Sequence, residues 1–225
     1  MEEESNIKIK KIENNVLNHE YNIEHIGEKY SNEYNPYKII LIGDKSVGKT
    51  SICLNFIKKE FINNIPSTMS VQIDNYQIKI NNKIIQMQFW DTCGIEEFYS
   101  YTPNLFQNAD MALFVFAIND KKSFENIPSF NDVLCQNNVE CIKFLVGNKI
   151  DLEDKRMVKK FEGEDIKNKY GFDTYIEVSA KINLNVKNLL ENIGISLYEK
   201  YEMEHNHDKN IINEDIKKSQ HSLIE

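Results

Sequence analysis

Eight residues, Gly43-Asp44-Lys45-Ser46-Val47-Gly48-Lys49-Thr50, carry the spacing G-x-x-x-x-G-K-[ST]. A chain that turns sharply from a strand into a helix aims several backbone N–H groups and the positive helix end at one point. A polyphosphate fits that point. Gly43 and Gly48 allow the tight turn and a close approach of backbone to phosphate. The Lys49 ammonium can bridge the β- and γ-phosphates, and the Thr50 hydroxyl can hold Mg2+. Lys45, Ser46, Val47 and Ser51 complete the candidate cradle. The elements that must hold this loop flank it. Ile39-Ile40-Leu41-Ile42 reads as a buried strand, and Lys49 to Lys59, with Ile52, Leu54, Phe56 and Ile57, as a helix.

A phosphate loop does not distinguish one purine from another. Asn148-Lys149-Ile150-Asp151 does, because the Asp151 carboxylate can accept from both N1–H and the exocyclic amine of guanine. Adenine offers no such pair of donors. This motif follows the apolar strand Ile142 to Gly147, and Ser179-Ala180-Lys181 follows another, Tyr175 to Val178. Ligands of α/β sheets bind outside the carboxyl ends of strands, so all three motifs fall on one rim. Ser179 to Lys181 reads either as a lid over the base or as an ordinary strand-end turn.

The remaining elements alternate around these motifs. Val71 to Ile80 and Lys83 to Trp90 read as strands joined by Asn81-Asn82, the turn of an antiparallel hairpin. Met111 to Ala117 reads as a buried strand and Phe124 to Leu134 as a helix. Val186 to Leu197 reads as a helix with Val186, Leu189, Leu190, Ile193 and Leu197 on one face.

In order along the chain, Gly43 to Thr50, Ser67-Thr68, Trp90-Asp91-Thr92-Cys93-Gly94, Asn148 to Asp151 and Ser179 to Lys181 resemble the motifs of a Ras-superfamily small GTPase of the Rab branch. The resemblance spans about Tyr37 to Glu202. It implies a P-loop NTPase fold of small G-protein type: a three-layer α/β sandwich with a six-stranded, mostly parallel sheet and one antiparallel edge strand. It implies GTP/GDP and Mg2+ as bound groups. Thr68 is then the threonine that binds Mg2+ and senses the γ-phosphate, Asp91 supports Mg2+ through water, and Gly94 donates its N–H to the γ-phosphate. Asn148 and Asp151 read guanine, Lys149 packs over it, and Phe61 either stacks near its edge or is a core aromatic. Segments 62–70 and 93–104 become the switches that meet effectors and an exchange factor, in a role in vesicle traffic.

The chain departs from that family within the site. Ile95 stands where the glutamine that orients the attacking water belongs, and isoleucine has neither donor nor acceptor. Lys45 replaces a small residue. It either crowds the γ-phosphate, places a cation near it, or points into solvent. Ser46, Ser70 and Cys93 also replace family-standard small residues. Two functions therefore stand side by side: a GTPase switch with slow hydrolysis, and a GTP-locked interaction module that keeps the nucleotide as a structural cofactor.

Length and charge bound the rest. The 225 residues accommodate one small-GTPase domain, 36–202, between an acidic, Asn-rich N-terminal extension, 1–35, and a C-terminal tail, 203–225, both expected to be flexible. The formal net charge of −8 lies mostly in these tails and disfavours nucleic acid as a partner. No run of about 18 apolar residues suggests a membrane span. The chain ends Gln220-His221-Ser222-Leu223-Ile224-Glu225 with Glu2 at its start, so the expectation is no lipid anchor and a cytoplasmic protein recruited to endomembranes by partners. All five histidines fall in the tails, and His205-Asn206-His207 reads as solvated rather than as a metal site.

Overall fold

A computed structural model describes residues 8–9, 21–63, 65–66, 68, 70–92, 105–137 and 139–221, with side chains from Tyr21 to His205. Eight strands form one sheet: β1 Lys8–Ile9, β2 Tyr21–Gly27, β3 Tyr37–Ile42, β4 Gln72–Ile80, β5 Lys83–Asp91, β6 Met111–Ala117, β7 Ile142–Asn148 and β8 Thr174–Glu177. Their order is β1-β2-β4-β5-β3-β6-β7-β8. From β5 to β8 the pairs are parallel, whereas β1–β2, β2–β4 and β4–β5 are antiparallel.

The α-helices whose bounds fall within the described residues are α1 Lys49–Lys58, α2 Lys121–Glu125, α3 Ile127–Gln136, α4 Lys160–Tyr170 and α5 Val186–His221. They cover both faces of the sheet, which explains the unbroken apolar runs of its central strands. In β3 the side chains alternate between two cores. Ile39 and Leu41 pack with Ile52 and Phe56 of α1 and with Leu189 and Ile193 of α5. Ile40 and Ile42 pack with Phe124, Ile127 and Phe130 of α2 and α3. A strand that is apolar on both sides has one place to go, the middle of a sandwich.

The turn between β4 and β5 is as its residues predict. Asn81 and Asn82 have φ of 47° and 68°, the left-handed pair of a type I′ hairpin that asparagine tolerates.

Three expectations change. The sheet has eight strands rather than six among the described residues, and β4 is not its edge. β2 runs along it, inside the extension expected to be flexible. Tyr21 and Ile23 are buried while Asn22 and Glu24 are exposed, the period-two pattern of a half-buried strand in a short, charged stretch. The segment from Phe124 to Leu134 is not one helix but two, broken at Asn126. Pro128 lies in the first turn of α3, and proline cannot continue a helix from the preceding turn, because it lacks an N–H and its ring clashes with the carbonyl one turn earlier. The third change is at the end of the chain. α5 continues through His221 rather than stopping near Leu197. Beyond Gly194 the sequence contains neither glycine nor proline up to His221 and is rich in Glu and Lys, residues that favour a helix. Among the described residues no helix is long and apolar enough to cross a membrane.

Phe114 is fully buried on β6 and meets Phe172 edge to face at 5.0 Å. Phe114→Ala is expected to cost about 3–5 kcal/mol, read as a lower urea midpoint at an unchanged m-value. A midpoint within error of the parent would show that this core layer collapses around the lost ring.

Candidate functional site

A cleft of about 470 Å³ opens at the carboxyl rim of β3, β5 and β7. Its floor is the loop from β3 into α1. Gly43 has φ 150°, and a Cβ there would lie 2.1 Å from the Val115 carbonyl oxygen. Gly48 has φ 98°, and its Cβ would lie 2.3 Å from Asn148 Nδ2. Both glycines are therefore demanded by close neighbours as well as by backbone angle. No side chain caps α1 at Gly48, and the first-turn residues Lys49, Thr50 and Ser51 line the cleft. That arrangement presents a positive helix end to an anion. Lys49 is buried, and its ammonium donates to the carbonyls of Gly43 at 2.7 Å and Asp44 at 2.9 Å.

Three oxygen-bearing side chains from different elements meet at one end of the cleft. Thr50 Oγ1 lies 2.9 Å from Thr68 Oγ1 and donates to Asp91 Oδ2 at 2.6 Å. Asp91 is 1% exposed, and its Oδ1 has no hydrogen-bond partner among the described residues. Burial pushes its carboxyl above the ordinary range, while the Thr50 hydrogen bond and the Lys49 charge pull it down. A buried carboxylate with an orphaned oxygen beside two hydroxyls is a hard-oxygen donor set, and it fits Mg2+. Thr50 and Thr68 would hold the ion and Asp91 would stand one layer behind. When bound, such an ion neutralises charge on phosphate oxygens.

At the other end, Asn148 ties the rim together. Its Nδ2 donates to the Val47 carbonyl at 2.9 Å and its Oδ1 accepts from the Ala180 N–H at 3.2 Å. Lys149, in the left-handed region at φ 70°, lays its chain along the loop and donates to the Ser46 carbonyl at 2.6 Å. Burial lowers its pKa against the nearby Asp120 and Asp151 charges. The buried Ser179 hydroxyl donates to Asp151 Oδ1 at 2.6 Å, which aims that carboxylate into the cleft from behind. Ser179 and Leu184 also exchange backbone hydrogen bonds, so the segment is both a closed turn and a wall of the site.

Most of the expected residues meet here. Lys45, Ser46, Gly48, Lys49, Thr50, Ser51, Phe61, Thr68, Asn148, Lys149, Asp151, Ala180 and Lys181 line the cleft. Phe61 belongs to neither apolar core and stands in the cleft wall. Lys45 is exposed on the rim. Val47 differs: its side chain is fully buried in the core, and only its backbone faces the loop. Asp91 and Ser179 act from beneath the surface, and Gly43 shapes the turn. Gly94 and Ile95 lie outside the described residues, as do Cys93, Ser67 and the whole segment 93–104. Among the described residues no group of three or more His, Cys, Asp or Glu side chains gathers around a metal-sized point. His205 Nδ1 meets the Tyr201 carbonyl at 3.0 Å, while the His207 side chain lies outside the described set.

Several contributors carry no sequence signal of their own. Ile62, Ile65, Pro66 and Leu152 supply the apolar wall. Asn126, far along the chain, donates to Asp44 Oδ2 at 2.8 Å and braces the phosphate loop. Asn55 Nδ2 donates to the Ala180 carbonyl at 3.0 Å. Thr92 is the exception, since it follows Asp91 directly. Its hydroxyl donates to the Leu41 carbonyl at 2.6 Å and locks the end of β5 to β3.

The Asp91 environment has a pH consequence. A carboxyl whose folded pKa is raised contributes stability below its unfolded pKa of about 3.9, and that stability is lost as pH rises through the folded value. At neutral pH an ionised Asp91 without a cation is therefore a cost. In EDTA at pH 7, Asp91→Asn is expected to melt higher than the parent, with the gap closing toward acid pH. The same variant is expected to retain nucleotide less well in millimolar Mg2+. A parent that melts above Asp91→Asn in EDTA at pH 7 would contradict this.

Comparison with known proteins agrees with the geometry. Residues 38–199 match the Ras family. The chain is 35% identical to Ras-related protein Rab-10 of Diplobatis ommata over 152 residues, which are 67% of this chain and 76% of that protein. It is 35% identical to Ras-related protein Rab-2B of Dictyostelium discoideum over 167 residues, 74% and 82% of the two chains. It is also 35% identical to Ras-related protein Rab-8A of Bos taurus over 153 residues, 68% and 73%. With a phosphate loop, a guanine-type rim motif and the matching sheet in one frame, this chain belongs to the Ras family of small GTPases, in its Rab branch.

Proposed function

We propose that the chain is a GTP/GDP switch in vesicle traffic that holds its nucleotide with Mg2+ and hydrolyses GTP slowly. The observation that carries this reading is the meeting of Thr50, Thr68 and Asp91. Thr68 comes from segment 62–70 and Asp91 from the strand that leads into segment 93–104. A γ-phosphate and its ion at that point would be felt by both segments, and loss of the γ-phosphate would release them. Effectors and an exchange factor would read the difference on these two segments.

On this reading Lys49 and the first turn of α1 hold the β- and γ-phosphates. Asp151, backed by Ser179, reads guanine N1–H and the exocyclic amine. Lys149 and Phe61 flank the base. Asn148 acts mainly as the tie between the phosphate loop and the Ser179–Lys181 turn, because both ends of its amide are engaged with backbone.

Slow turnover follows from Ile95. Hydrolysis needs a water aligned with the γ-phosphate, and an aliphatic side chain cannot orient it. Lys45, exposed on the cleft rim, is a candidate to compensate with positive charge. The same Ile95 supports a second reading, a GTP-locked interaction module in which nucleotide is a structural cofactor.

Two measurements test these readings. Asp151→Asn is expected to lose GTP affinity and gain affinity for xanthine nucleotides, because an acceptor becomes a donor. Equal competition by ATP and GTP for the parent would sink the guanine assignment. Single-turnover hydrolysis separates switch from module. The switch is expected to turn over below about 10⁻⁴ s⁻¹, the order of the slow intrinsic rate of Ras, and Ile95→Gln to raise that rate. A parent at the Ras-like rate that Ile95→Gln leaves unchanged would remove Ile95 from the catalytic position.

A further inference from the structure

The match to the Ras family begins at residue 38, yet β2 and the turn after it are built into the domain ahead of that point. β2 runs antiparallel along β4, with Ile23 opposite Ile80 and His25 opposite Ile78. The following turn is pinned to the face of the β4–β5 hairpin that looks away from α1 and α5. The pin is Gln86 of β5. Its Oε1 accepts from the Ser31 N–H at 2.8 Å and from Gln77 Nε2 at 2.7 Å. Its Nε2 donates to the carbonyls of Ser31 at 3.1 Å and Tyr34 at 3.0 Å. A glutamine amide has two good acceptor positions and two N–H donors, so Gln86 is filled, and it is 1% exposed.

Two more contacts fasten β2 to α5. Tyr21 donates to Glu199 Oε1 at 2.7 Å. His25 lies between the Tyr76 hydroxyl at 3.1 Å and Glu191 Oε1 at 3.0 Å. Glu191 is 3% exposed, with Lys187 on the same oxygen at 3.6 Å.

The far end of the same hairpin carries the site. Asp91 closes β5 opposite Leu41 of β3, the strand that enters the phosphate loop, and it reaches Thr50 only in this register; Ser31 and Tyr34, which hold Gln86, lie just ahead of β3. A slip of one residue turns every side chain of a strand to the other face. Such a slip would take Asp91 away from Thr50 and would also break every bond of Gln86. We propose that residues 21–36 are an intramolecular strap, with Gln86 as the positioning residue that holds the β4–β5 hairpin so that Asp91 stands behind Thr50. The strap thereby tunes how strongly Mg2+ retains the nucleotide. This rests on the reading of Thr50, Thr68 and Asp91 as the metal side of the site.

The test is a Mg2+ titration of fluorescent GDP dissociation from the full-length chain, with melting temperature measured alongside. Gln86→Ala is expected to raise the Mg2+ concentration for half-maximal retention about fivefold, the scale of one or two lost hydrogen bonds. Tyr21→Phe removes a single hydroxyl and keeps the ring, so it folds if Gln86→Ala does not. It is expected to shift the half-point the same way by a smaller factor. If the half-point stays at the parent value in the folded variants while the melting temperature falls, the strap is merely structural and the proposal is overturned. If the parent itself retains GDP independently of Mg2+, the metal-site reading fails and the strap proposal falls with it.

Discussion

The two hydrogen bonds of the Asn148 amide hold the functional rim together. One end grips the Val47 carbonyl in the phosphate loop and the other the Ala180 N–H in the turn after β8. The side chain is buried, and a buried amide with an unfilled end is costly, so neither loop can leave without penalty. Gly48 completes the constraint from below, since any Cβ at that position would occupy the space of the same amide. Lys149 repeats the tie on the outer side through Ser46. The geometry of the cleft is thus set by hydrogen bonds within the chain before any ligand contact is counted, which is the preorganisation that binding sites need.

The opposite end of the cleft follows another logic. Asp91 is buried with one oxygen satisfied by Thr50 and the other without a partner. In a purely structural site this would be a defect. Here the carboxylate is held at a position where a divalent ion two hydroxyls away would repay its desolvation. Thr68 reaches the same point. The cleft therefore joins an end tied by the Asn148 amide to an end with a buried carboxylate oxygen that a cation would satisfy, which on the proposed reading couples ligand to segment order.

The segments flanking the family domain change how the sheet ends. An open edge strand presents unpaired N–H and C=O groups, and β2 covers that edge on β4. α5 then gains polar work beyond its apolar stripe. Glu191 and Glu199 receive His25 and Tyr21, so β2 is joined to α5 across the sheet edge.

How much was legible in the sequence follows from the range of the interactions involved. The phosphate loop, the Asn148–Asp151 and Ser179–Lys181 motifs, the Asn81-Asn82 turn and the two-faced strands β3 and β6 were all readable. Each is encoded in contiguous residues whose backbone or periodicity has one low-energy solution. The split at Asn126 is encoded by Pro128, but the apolar spacing runs across it with a helical period. The strap was not readable. Tyr21 to Gly27 is short, alternates only from Tyr21 to Glu24, and is held as a strand where β4 offers an edge and α5 offers Glu191 and Glu199. The extension of α5 had propensity in its favour but no apolar stripe to announce it. Gln86, Asn126 and Asn55 are ordinary amides with partners that lie 52 to 55, 82 and 125 residues away, Gln77 across the hairpin being the one near partner of Gln86. Sequence alone determined which chemistry the loops can do, because that depends on local residue type and spacing. The tertiary structure decided which distant polar groups hold those loops in place, because hydrogen bonds between strands remote in sequence exist only once the sheet has formed.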